Sequence, residues 1–132
     1  MTAHQAPQLA WTVLYVSDLG ASLELYIEAF GLTVAFEHPG GDYAEFATGS
    51  TALALCEIAT AADSTGLALS GPASPRSNIT LVVDDVGAAF GHAIASRATS
   101  IAEPVTKPWG QDSSYVADLD GNLIELASRV VA

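Results

Sequence analysis

The chain has 132 residues, 50% of them hydrophobic and 14% charged, which excludes a disordered segment and is long enough for one domain with a real core. Fifteen acidic residues oppose four basic ones, Arg76, Arg97, Lys107 and Arg129, for a formal net charge of −11, so the basic footprint of a nucleic-acid binder is missing. No apolar run reaches the roughly 18–20 residues of a membrane span, no basic-then-apolar leader opens the chain, and the lone Cys56 cannot form an internal disulfide; a cytoplasmic protein is expected, with Cys56 a small buried hydrophobe.

"LAWTVLYV", Leu9–Val16, is rich in β-branched and aromatic residues and predicts a strand. Ser17 and Asp18 offer an N-cap, and Leu19, Leu23, Ile27 and Phe30 form a helical stripe that Gly31 is placed to end. Strands are predicted over Thr33–His38, Tyr43–Thr48 and Thr51–Ile58, with "HPGGD" and "TGS" as the turns between them. Residues 59–77, small and rich in Gly, Ser and Pro, predict a surface connector. "NITLVV" then predicts a strand running into a cap at Asp84 or Asp85. Val86, Phe90 and Ile94 form a second helical stripe, and strands follow over Ser100–Val105, Ser113–Ala117 and Asn122–Ala127.

The second half repeats the first. "YVSDLGAS" lies over "LVVDDVGAA" with Asp18 and Asp85 67 positions apart, and "GSTALAL" lies over "DGNLIEL" at an offset of 71. The reading is an α+β chain of two βαβββ modules, eight strands and two helices in a single domain over 1–132, with module 1 at about 9–58 and module 2 at about 78–128.

"VSDLGASLELYIEAFGL", "LVVDDVGAAF" and "KPWGQDSSYVADLDGNLIELAS", in this order and spacing, resemble the strand–helix junctions and last hairpin of the vicinal oxygen chelate superfamily, which holds glyoxalase I, extradiol dioxygenases, fosfomycin-resistance enzymes and bleomycin-binding proteins. The resemblance covers nearly the whole chain and implies a cavity-lining sheet with outer helices. It does not name a reaction, because one scaffold carries many chemistries. In metal-dependent members four strand positions can hold a divalent ion, and the resemblance carries them onto Trp11, Ala54, Asn78 and Glu125. Tryptophan has only an N–H donor, alanine offers nothing, and asparagine offers a neutral oxygen. Glu125 is the one carboxylate, short of the about three protein ligands of catalytic zinc. The resemblance therefore implies no metal and no cofactor. His4, His38 and His92 fall on no inward strand position in this register and are expected to be solvated or capping residues.

Period-2 alternation predicts the rest of the cavity wall: Val13 and Tyr15 with Trp11, Thr80 and Val82 with Asn78, Leu123 and Ala127 with Glu125, and Ala52 and Cys56 with Ala54. Leu53, Leu55, Ile124 and Leu126 should then face the helices. Trp109, in the "KPWGQ" turn, is expected as a lid, a dimer contact or a tryptophan packed on its own hairpin. The expectation is a metal-independent small-molecule binder and homodimer. Trp11, Tyr15, Trp109 and Tyr115 would offer stacking surfaces, Asn78 directional hydrogen bonds, and Glu125 a hold on a cationic or hydroxyl group. The acidic balance agrees with a cationic ligand, although solubility alone is the first reading of it. Beside this stand a metal-dependent lyase, isomerase or dioxygenase, a metal-free enzyme with Glu125 as general base, a core plugged by Trp11, and a ligand-free dimeric structural or regulatory module.

Overall fold

A computed structural model describes residues 6–69 and 75–130. His4 and part of the predicted connector lie outside them. Strand β1 (Trp11–Val16) feeds helix α1 (Leu19–Phe30), followed by β2 (Val34–Glu37), β3 (Tyr43–Phe46) and β4 (Ala52–Glu57). After helix α2 (Ile58–Thr65) the plan repeats as β5 (Asn78–Val82), α3 (Val86–Ala95), β6 (Thr99–Thr106), β7 (Asp112–Ala117) and β8 (Leu123–Ala127). Two four-stranded mixed sheets result, ordered β1-β4-β3-β2 and β5-β8-β7-β6. The first strand of each module pairs parallel with the last, Trp11 opposite Ala52 and Asn78 opposite Leu123.

The helix starts are set by the repeated aspartates. Asp18 accepts from the Ala21 N–H at 3.0 Å and Asp85 from the Ala88 N–H at 3.0 Å, so Asp85 rather than Asp84 is the cap. Gly31 ends α1 at φ 67, a left-handed conformation that glycine adopts without a Cβ clash. Helix α2 corrects the sequence reading, which counted two helices and placed a plain connector from residue 59. Ile58, expected at the end of a strand, opens α2 instead. The alanine-rich "IATAADST" has good helix propensity and is closed by Gly66 at φ 73. Thr60 donates to Asp42 at 2.8 Å, tying α2 to the β2–β3 turn.

One buried core joins the modules. It takes Val16, Leu53, Leu55 and Phe46 from the first sheet, Val116, Ile124 and Leu126 from the second, and Leu19, Leu25, Tyr26 and Ala93 from the helices. Each fully buried Leu, Ile or Phe contributes about 1.5–3 kcal/mol, so this helix-side core is the main driving force of the fold. Helices α1 and α3 pack against one another at the module junction. His92 bonds the Glu28 carbonyl at 2.7 Å, and Asp120 accepts from the Ser17 N–H at 3.0 Å. Among the described residues no helix is long and apolar enough to cross a membrane.

Candidate functional site

With the helix side of each sheet consumed by the core, the opposite face of each is left uncovered. On module 2 that face is built around Glu125. Directly opposite residues share a face, so the register puts Thr80, Glu125 and Tyr115 in one row across β5, β8 and β7, with Ser113 one row along. Thr80 Oγ1 donates to Glu125 Oε1 at 2.6 Å, Ser113 Oγ to Oε2 at 2.6 Å, and Tyr115 OH to Oε2 at 3.3 Å. Asn78 Nδ2 donates to Thr80 Oγ1 at 3.0 Å, completing a relay. Burial alone would push the Glu125 carboxyl up. The hydrogen bonds from Ser113, Thr80 and Tyr115, helped by the charge of Lys107, outweigh it and hold the group below the usual glutamate range. That direction is opposite to the one a general base would gain from, since proton affinity rises with pKa.

On module 1 the uncovered face is aromatic. Trp11, Val13 and Tyr15 stand beside Ala52, Ala54 and Cys56 in register, and Tyr43 and Glu45 stand on the other side of β4 opposite Cys56 and Ala54. Phe36 lies opposite Glu45, its ring 6.4 Å from that of Tyr43. Trp11 is 56% exposed and Phe36 47%, so Trp11 plugs no core within the chain. Ala54 and Cys56 are buried all the same, small side chains on the middle strand with the larger Val13 and Tyr15 opposite on β1 and Glu45 and Tyr43 opposite on β3. Tyr43 OH donates to Glu45 at 2.7 Å, and burial together with that carboxylate pushes the phenol up to about 12, so it stays a protonated donor at neutral pH. Phe36, Tyr43 and Glu45 were not singled out from the sequence. Once β3 is in register with β4, alternation identifies the last two.

The chain thus brings Asn78, Tyr115 and Glu125 together on one face and Trp11 and Tyr15 on the other sheet. Trp109 belongs to neither cluster. It sits 60% exposed in the β6–β7 turn, its indole N–H bonded to Gln111 Oε1 at 2.9 Å. The four positions the resemblance implied for an ion are likewise split between the sheets, Trp11 and Ala54 on one, Asn78 and Glu125 on the other. The pairs offer an indole and a methyl, and an amide and a carboxylate already engaged by three hydroxyls. This donor set does not fit a catalytic metal. Among the described residues no three His, Cys, Asp or Glu stand together as a ligand group. His38 bonds Asp42 at 3.1 Å in the β2–β3 turn, away from both faces. A cavity of about 790 Å3 lies at the module junction and reaches the two faces through Tyr15, Asn78 and Leu123.

No curated protein matches the chain in sequence. Solved structures share its fold. A glyoxalase-related enzyme from Fulvimarina pelagi superposes with a TM-score of 0.83 at 24% identity, covering 94% of this chain and 89% of that one. A protein of unknown function from Agrobacterium tumefaciens gives 0.80 at 23% identity, with 96% and 97% covered. TioX from Micromonospora gives 0.68 at 20% identity, with 92% and 98% covered. The family model described as the glyoxalase/bleomycin resistance protein/dioxygenase superfamily matches residues 8–126, and with both modules and their paired sheets in place the chain belongs to that superfamily.

Proposed function

We propose that the protein is a metal-independent binder of a small organic molecule, held in a cavity that two copies of the chain complete together. The observation that carries this reading is the pair of uncovered faces. Trp11, Val13, Tyr15 and Phe36 are exposed on one, and Val82 and Val105 on the other, although each face belongs to a well-packed sheet. Contiguous apolar patches of this kind mark interaction surfaces. A two-fold dimer that sets the module 1 face of one copy against the module 2 face of the other would produce two equivalent cavities. Each would have aromatic walls and a few fixed polar groups, Asn78, Tyr115, Glu45 and Glu125, the composition of an organic-ligand pocket. A ligand-free structural module gives no reason to keep a hydroxyl-bonded glutamate on an exposed face. A metal-dependent lyase, isomerase or dioxygenase would need ligands that Trp11 and Ala54 cannot supply.

The test is a calorimetric screen of aromatic compounds before and after dialysis against EDTA, with elemental analysis of protein purified without chelators. Saturable binding that survives EDTA, with far less than one equivalent of metal per chain, is expected. A near-equimolar content of zinc, nickel, iron or manganese that is lost in Glu125→Ala would overturn the reading.

A further inference from the structure

Both faces carry a carboxylate, and their surroundings differ in a way that decides which one meets a ligand. Glu125 accepts three hydrogen bonds, from two hydroxyls and a phenol, and Lys107 lies near enough to stabilise its charge. Glu45 receives one hydrogen bond among the described residues, from Tyr43 to Oε2. Among the described residues no lysine, arginine or histidine forms an ion pair with it. All four Lys and Arg residues of the chain lie from Arg76 onward, so module 1 contains seven acidic side chains and no lysine or arginine. His38, the one titratable base in the described part of module 1, is engaged with Asp42.

We propose, resting on the binding reading above, that the ligand is an organic cation whose charged group meets Glu45, against the rings of Tyr43 and Phe36 and with Trp11 and Tyr15 on the same face, and not Glu125 as sequence reasoning expects. The aromatic faces are electron-rich and attract a cation, the more so once water is excluded. Phe36 and Tyr43 stand beside Glu45 in the sheet register, so one charged group can touch ring and carboxylate together. Covering this face by a second copy removes water from Glu45, and an ionised carboxylate taken out of water without a counter-charge is strongly unfavourable. A cationic ligand supplies the counter-charge that module 1 lacks. Glu125, already satisfied by neutral donors, has no such need.

The test uses two probes of one shape, the N-methylquinolinium cation and neutral quinoline in mildly alkaline buffer, titrated calorimetrically into the intact protein and into Glu45→Gln and Glu125→Gln. Glutamine at 45 can still accept from Tyr43, so the fold is retained. The wild type is expected to prefer the cation by about tenfold or more, a preference Glu45→Gln removes and Glu125→Gln keeps. Equal affinity for the two probes, or loss of the preference in Glu125→Gln alone, overturns the inference and leaves the organic-ligand reading standing. Absence of saturable binding by either probe also overturns it, while that broader reading is decided separately by the aromatic screen.

Discussion

Tyr26 on α1 donates its phenolic proton to Asp118 Oδ2 at 2.7 Å, across 92 positions of sequence, and the bond joins one module to the other. Both residues are buried, and the Asp118 carboxylate also accepts from the backbone of Asp120 and Asn122 and from the Asn122 side chain. Burial first, and the carboxylate second, push the Tyr26 phenol far up, so it remains a donor over the whole accessible pH range.

Tyr26→Phe removes that donor and leaves a buried carboxylate one partner short. A hydrogen bond to a charged group contributes about 1.5–3 kcal/mol, and the partners that remain on Asp118 put the expected loss near the lower end. Urea melts followed by circular dichroism read it as a lowered midpoint at unchanged slope. A loss under ~0.5 kcal/mol would show that packing alone holds the modules together.

The Glu125 network predicts a pH signature. Its folded-state pKa lies below the unfolded value, so the stabilisation is present above the unfolded pKa of about 4.3 and disappears as pH falls through the folded one. Wild type should therefore lose stability on acidification more steeply than Glu125→Gln, the two curves converging toward low pH. Parallel curves from neutral pH down to about 3 would mean that the hydroxyl bonds do not favour the ionised form.

Assembly is the third expectation. Light scattering should give twice the 13.5 kDa chain mass at micromolar concentration. Trp11→Asp places a charge in the exposed aromatic patch and should shift the protein to the single-chain mass with unchanged secondary structure. A wild-type protein of single-chain mass would remove the shared cavity.

Much of this molecule is written in local sequence. The Asp18 and Asp85 caps, the apolar stripes, Gly31 and the alternation of β4 and β8 fix two βαβββ modules, because capping, glycine freedom and side-chain period are properties of a few neighbouring residues. Alternation alone also puts Leu53, Leu55, Ile124 and Leu126 on the helix side and Glu125 opposite. The helix over 58–65 was missed because its small residues leave no apolar stripe; only alanine propensity and Gly66 signal it. What the chain pattern could not decide is how the two modules sit together. The sequence aligns Trp11 with Asn78 and Ala54 with Glu125 as though the four shared one site. The packing of α1 on α3 and the Tyr26–Asp118 bond instead bury the helix sides in one core and leave the two faces uncovered on separate sheets. The same is true of Glu125 and Glu45. Which carboxylate accepts three hydrogen bonds and which accepts one among the described residues depends on strand pairing between residues tens of positions apart, and pairing is a tertiary fact.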